Sequence, residues 1–247
     1  MHKLFLLHFA LATVSAFSQS KPRESLDSSV TEVWDLKPVK ITPGKNPGDA
    51  PSDAIIIFDG KDLSNFTSLD GSAAMWDVKS GALTVTKGLG DIKTKKQFGD
   101  IQLHIEWRAP EVIVGDGQGR ANSGIFFQER YELQVLDSYE SVTYSNGQAG
   151  SLYKQSIPLV NATRKPGEWQ VYDVVYNAPV FSETGRVISP AKITVLHNGV
   201  LIQNGFQIWG STEFRGLPVY QSHGKASLKI QDHGNPVSFR NIWVREL

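Results

Sequence analysis

From residue 55 to the last residue the chain alternates apolar and polar side chains in short runs. It breaks those runs every eight to twelve residues with Gly, Asn, Asp or Pro. "MWDV", "ALTVT", "DIQLHIEWR", "SGIFFQ", "YELQVL", "WQVYDVVYN", "KITVLHNGVLIQN" and "VSFRNIWVREL" all show the pattern, and Ile55–Phe58 is a short apolar run of similar length. Period two belongs to a strand with one face on a core, because successive side chains leave opposite faces. No stretch of a dozen residues keeps a helical stripe, so helices are not expected to build the core. Asn198-Gly199 offers the two positive-φ residues of a type I′ turn and predicts a hairpin. No unit recurs at a fixed period, which argues against a propeller or solenoid. The expected fold is all-β and antiparallel, with strands enough for two packed sheets.

Length and charge narrow the function classes. A chain of 247 residues suits one sandwich domain. Its 25 basic and 25 acidic residues cancel, and no Lys/Arg run forms a basic stripe, so nucleic acid is not an expected partner. There is no cysteine, which removes disulfides, thiolate metal ligands, thiol catalysis and a lipid-anchoring Cys. An exported protein of this size without disulfides must rest on its core, which suits a bacterial periplasm.

The first residues read "MHKLFLLHFALATVSAFSQS". A short basic start, an apolar run from Leu4 to Val14 and small residues at Ala16 and Ser18 predict a signal peptide over 1–18, cleaved before Gln19. The run is short for a membrane span and no second one follows, so no membrane span is expected. Residues 19–53, with "TPGKNPGDAPSD", read as an extended leader, and the domain is expected over 54–247.

The candidate site lies on the polar faces of three strands. On 101–108, Ile101, Leu103, Ile105 and Trp107 share one face, and Gln102, His104, Glu106 and Arg108 share the other. His104 and Glu106 would stand about 6–7 Å apart, close enough to share a metal or a sugar; a solvated outer face explains them equally well. On 131–136, Tyr131, Leu133 and Val135 point inward and Glu132 and Gln134 outward. Near the end, Leu228 and Ile230 oppose Lys229, Gln231 and His233. Amides where a merely soluble face would carry charges suit a polyhydroxylated ligand. His197, beside the Asn-Gly turn, and His223, in "QSHGK", read as surface residues, whereas His233 is held between two strands by a Gly-Asn-Pro turn and reads as functional. "VGDGQGRANSG" leads into a strand rather than a helix, which argues against a phosphate loop, and its spacing fits no EF-hand. It reads as an irregular loop carrying Arg120 and Asn122 to the rim. No Gly-x-Ser-x-Gly, Ser-x-x-Lys or His-Glu-x-x-His occurs.

"FDGKDLSNF", "GDIKTKKQFGDIQLHIEWR", "GQGRANSGIFFQERYELQVLDSY", "NGQAGSLYKQSIPLVNATRKPGEWQVYD" and "IQDHGNPVSFRNIWVREL" together resemble the 3-keto-disaccharide hydrolase family of secreted bacterial proteins, over about residues 54–247. The resemblance implies a concanavalin A-like jelly-roll of two curved antiparallel sheets with a carbohydrate on the concave face. It implies cleavage of a glycosidic bond in a sugar already oxidised at C3, by elimination and then hydration. Mapped by residue type, Glu132 is the first choice for the base, and His233 or Asp137 for the acid or second base. Arg120, Asn122, Gln134 and Gln231 would hold hydroxyls, and His104 and Glu106 would be ligands of a divalent metal; no organic cofactor is expected. Where many relatives carry Gly-Pro-Ile, this chain reads "GKASLKIQ", so the rim near His223 is expected to differ. The alternative is a lectin-like module that binds glycans on the same face without turnover, and a third reading is a structural, partner-binding sandwich. Location in the periplasm or on the surface of a Gram-negative cell follows from the signal segment and the family resemblance. Asp137 poses its own question: an unbroken strand would point it inward with Leu133 and Val135, so the strand either ends near Leu136 or turns Asp137 toward the site at the sheet edge.

Overall fold

The computed structural model describes residues 27–247. The signal segment expected over 1–18 lies outside the described residues. Residues 27–40 contain one 3₁₀ turn, Ser28–Thr31, capped where the Asp27 carboxylate accepts the Ser29 N–H at 2.9 Å. Residues 41–247 form a separate compact unit, so the part of the expected leader from residue 41 onward belongs to it.

Among the described residues this unit is built from strands and short turns. The larger sheet runs β13 (Val200–Gln207), β12 (Lys192–His197), β9 (Gln170–Asn177), β6 (Ile101–Arg108), β15 (Ser238–Glu246), β4 (Ala82–Thr84) and β3 (Asp77–Lys79), with β1 (Ile55–Phe58) also on β15. The smaller runs β2 (Phe66–Ser68), β5 (Ile92–Phe98), β14 (Ala226–Ile230), β7 (Ser123–Phe127) and β8 (Tyr131–Val135). A two-stranded ribbon of β10 (Val180–Phe181) and β11 (Val187–Ser189) stands apart. All pairings are antiparallel. This is the jelly-roll sandwich the alternation and the family resemblance led one to expect.

One apolar cluster fills the space between the sheets. From the larger sheet Leu103, Ile105, Trp107, Tyr172, Val174, Tyr176 and Phe239 meet Ile125, Phe127, Tyr131, Leu133, Leu228 and Ile230 of the smaller. Phe127 stacks on Tyr176 at 4.7 Å between centroids, within the range that favours aromatic pairs. Two buried phenols cross the core to fix the sheets: the Tyr172 hydroxyl donates to the Gln134 carbonyl at 2.9 Å, and that of Tyr176 to Gln128 Oε1 at 2.8 Å. A core phenol would otherwise leave a costly unpaired donor.

The Asn198-Gly199 hairpin forms as expected, with φ of 53° and 81°. His197 corrects its surface reading. It is 1% exposed, 5.8 Å from Trp107 and 4.8 Å from Tyr172 between ring centroids. The alternation that buries Ile193 and Val195 carries on to residue 197, so the strand decides and not the turn beside it. Burial drives its pKa down to about 3, and the imidazole is neutral. His223 is half-buried and not simply a surface group: its Nε2 lies 2.7 Å from the Tyr131 hydroxyl.

Candidate active site

The outer face of the smaller sheet carries a cleft of about 690 Å³. The strand register lays out its floor. Gly124 faces Gln134 and Phe126 faces Glu132 across β7 and β8, and Lys229 faces Phe126 across β14 and β7. Beyond β8 the segment 150–153 continues the sheet: the Tyr153 N–H donates to the Glu132 carbonyl at 3.1 Å and the Gln134 N–H to the Ser151 carbonyl at 3.0 Å. One row thus reads Lys229, Phe126, Glu132, Tyr153. The next begins at Gln231, whose N–H donates to the Gly124 carbonyl at 3.0 Å, and passes Gly124 and Gln134 to Ser151. Asn122 and His233 lie past that second row.

Glu132 is 5% exposed and lines the cleft. Among the described residues its carboxylate has no hydrogen-bond partner; only its backbone is held, by the N–H to Thr212 Oγ1 at 3.0 Å and the carbonyl to Tyr153. Burial pushes its pKa up to about 8. The positive charge of Lys229 opposes this and the negative charge of Asp91 adds to it. Lys229 stays off Glu132 because it is engaged elsewhere, with Asp91 at 2.6 Å and over the Phe126 ring at 3.8 Å. Gly124 makes the space for the carboxyl: a Cβ there would stand 2.6 Å from Glu132 Oε1 and 2.9 Å from the Phe126 ring.

The amides are organised around Glu132. Gln134 Nε2 donates to Gln118 Oε1 and to Asn122 Oδ1, both at 3.2 Å, which leaves Gln134 Oε1 buried without a donor. Asn122 Nδ2 in turn donates to the Gln118 carbonyl at 2.7 Å. Gln231 Oε1 is also buried without a donor, and its side chain makes no hydrogen bond among the described residues. Buried acceptors left unpaired are costly, so two of them lining one cleft point to a ligand that supplies hydroxyl donors. His233 is exposed at the mouth and held by its neighbour. The Asp232 carboxylate accepts N–H groups from Gly88 at 2.8 Å, Gly90 at 3.0 Å and Gly234 at 2.8 Å.

Five of the sequence-selected residues therefore meet in one cleft: Glu132, His233, Asn122, Gln134 and Gln231. Four do not. β8 ends at Val135, and Asp137 is buried on Arg120, with Arg120 Nε 2.6 Å from Oδ2 and the Tyr139 N–H 3.1 Å from Oδ1. The pair borders a different cavity, of about 240 Å³, lined by the apolar loop 112–114 and by Pro236. Asp137 thus turns neither inward as a free core carboxyl nor toward the cleft, and the glycine-rich loop delivers Asn122 to the cleft but not Arg120.

His104 and Glu106 belong to the larger sheet. The His104 ring stacks on Trp243 at 5.3 Å, Nδ1 meets Asp173 at 2.6 Å and Nε2 meets Asn241 at 3.2 Å. Glu106 pairs with Arg240 at 2.6 Å. Burial opposes protonation of His104, but the Asp173 and Glu106 carboxylates, which accept from its ring, outweigh it and raise its pKa to about 9. Above it sits Gly48, whose carbonyl accepts Asn241 Nδ2 at 3.0 Å and Trp243 Nε1 at 2.9 Å. These side chains pin residues of the expected leader to the sheet. As a metal site they do not fit: their donors are committed to protein partners, and among the described residues no cluster of three or more His, Cys, Asp or Glu is placed to hold an ion.

The cleft also has a side that the alternation does not show. Tyr144, Tyr153, Phe214 and Thr212 line it from irregular segments, and Gln118 from the glycine-rich loop. An aromatic share of 10% leaves room for such rings in the sequence without locating them.

A jelly-roll whose open sheet face carries one buried carboxyl, unpaired amides and aromatic rings is built to take a carbohydrate. The sequence profile of the 3-keto-alpha-glucoside-1,2-lyase-like domain matches residues 53–245, and the chain belongs to that family. It is 52% identical to a candidate glycosyl hydrolase from Parabacteroides distasonis, with a TM-score of 0.87 over 91% of this chain and 98% of that one. A second candidate glycosyl hydrolase from the same organism shares the fold at 21% identity, with a TM-score of 0.60 over 84% of this chain and all of the other. None of the curated proteins compared with the chain is similar to it.

Proposed function

We propose that the chain is an enzyme that cleaves the glycosidic bond of 3-keto-glycosides by elimination followed by hydration. The observation that carries this reading is the Glu132 carboxyl: unpaired, buried, raised to about 8, and surrounded by amides that lack donors. A ketone at C3 acidifies the C2 proton, and a carboxylate of raised pKa is a stronger base for it than an ordinary one. Glu132 takes that proton, the electrons pass into the C3 enolate, and the C1–O bond breaks as the enolate returns to the ketone. His233 at the mouth gives the departing oxygen its proton. Water then adds at C1 of the unsaturated ketone. Gln134 and Gln231 accept sugar hydroxyls, the amide N–H groups of Gln231 face the C3 oxygen, and Asn122 holds Gln134 in place. His104 and Glu106 take no part in these steps, because they stand on the larger sheet.

Export to the periplasm or cell surface of a Gram-negative bacterium belongs to the same proposal, on the strength of the Leu4–Val14 run and the small residues after it. Among the described residues no helix is long and apolar enough to cross a membrane. The rings of Tyr144 and Phe214 give the binding-module reading its one specific support. Purified protein incubated with a 3-keto-glucoside, with and without chelator, separates the two. The enzyme releases the aglycone, whereas sugar binding with no release in either condition overturns the reaction.

A further inference from the structure

The cleft is divided, and Glu132 stands on the dividing line. On one side are Gln134, Gln231, Asn122 and His233. On the other are Tyr153, Tyr144 and Phe214, with Phe126 beside the base in its own row. The two sides differ in what they leave for a ligand. The polar side keeps two buried acceptors unpaired. The aromatic side has largely used its polar atoms internally. The Tyr144 and Tyr153 hydroxyls bond to each other at 2.5 Å, which leaves one hydroxyl hydrogen between them. Lys154 donates to the Phe214 carbonyl at 2.6 Å, and its ammonium lies over the Phe214 ring at 4.3 Å. Yet Phe214 is 65% exposed and Tyr144 40% exposed, so much of each residue stays open on the side that Lys154 does not cover.

We infer that the aromatic side is the leaving-group subsite and that it is shaped for a flat aryl aglycone rather than a second sugar. The inference rests on the proposed reaction for its orientation: C1 is bonded to C2, so a base at C2 must sit where the sugar ends and the leaving group begins. A second sugar can lay an apolar face on these rings, but the polar partners beside them are the paired Tyr144 and Tyr153 hydroxyls and the engaged Lys154 ammonium, so its hydroxyls gain little there beyond what water gives them. An aromatic ring asks only for offset or edge contacts, which add to the gain from buried area. The leaving phenol oxygen stays near Glu132 and the polar boundary, and its ring lies toward Tyr153 and Phe214.

The test uses the full chain and three substrates with the same 3-keto-α-glucosyl group bearing phenyl, methyl or glucosyl at C1, each followed in the wild type and in Phe214→Ala. The expected result is a fall in kcat/KM of about five- to tenfold for the phenyl substrate alone, equivalent to one aromatic contact, with the methyl and glucosyl substrates within about twofold. An equal fall on all three, or the largest on the glucosyl substrate, overturns the aryl assignment. Calorimetric binding of phenyl α-glucoside and methyl α-glucoside, neither oxidised, reads the subsite without turnover. Tighter binding of the phenyl compound that Phe214→Ala abolishes supports the subsite even if no 3-keto-glycoside is cleaved, in which case the proposed reaction fails alone. Equal binding of the two overturns the subsite.

Discussion

Gly124→Ala isolates the placement of the base from its chemistry. The strand backbone at 124 is not left-handed, so alanine is conformationally allowed and even gains about 0.5–1 kcal/mol of intrinsic preference over glycine. The difficulty is steric. The new Cβ would lie 2.6 Å from Glu132 Oε1 and 3.1 Å from its Cδ, whereas ordinary contact begins near 3.4 Å, so the carboxyl must retreat by about 0.8 Å. Its other neighbour in that direction, the Phe126 ring, would itself stand 2.9 Å from the Cβ. Displacement of a reacting group by about 1 Å costs on the order of a hundredfold in rate, while overpacking costs about 1–3 kcal/mol, partly offset by the lost glycine penalty. The expected variant is folded, melts within a few degrees of the wild type and releases aglycone from a 3-keto-glucoside about a hundredfold more slowly. Full activity in a folded Gly124→Ala protein would refute the idea that the carboxyl works where it now stands.

Three further expectations follow from the same contacts. The Glu132 carboxyl has a folded pKa near 8 against an ordinary 4.5, so it stabilises the fold fully below about 4.5 and loses that contribution as pH rises through 8; Glu132→Gln should therefore melt above the wild type at pH 9 but not at pH 4, and an unchanged difference across that range would contradict its burial in an unpaired state. Removing Arg120 alone leaves the Asp137 carboxylate buried without its partner, with an expected loss of about 3–5 kcal/mol in denaturant unfolding, whereas its effect on kcat should be small because the pair faces away from the cleft. His104→Ala should lower stability by about 1–3 kcal/mol through loss of its stacking and hydrogen bonds, with kcat/KM retained; a selective loss of turnover rescued by added divalent metal would restore His104 to the site.

The strands were legible because alternation reports which face a residue takes. It put Glu132 and Gln134 together, Lys229 opposite Leu228 and Ile230, and His104 opposite Leu103. It does not report which sheet a strand joins. β6 pairs with β9 and β15, not with β8, and that choice separates His104 and Glu106 from Glu132 although all three share the pattern. β5 was less visible, since "IKTKKQF" places three lysines in seven residues and buries a threonine, Thr94, where an aliphatic residue would have marked the face. Asp137 escaped the pattern because the strand stops two residues before it, and an ion pair with Arg120 then decides its direction. Tyr153 and Phe214 come from segments with no period at all; what places Tyr153 is a backbone hydrogen bond to Glu132 across a sheet edge, a long-range pairing that composition does not encode.

The role of Glu132 is tested most directly by following aglycone release from a 3-keto-α-glucoside in the wild type and in Glu132→Gln, which keeps shape and removes the ionisable group. The account predicts release by the wild type that rises with pH along a limb near 8. It predicts a loss of at least about a hundredfold in the variant, the lower end of what general-base catalysis contributes, with sugar binding retained. Release by Glu132→Gln at the wild-type rate, with the same pH limb, would contradict it.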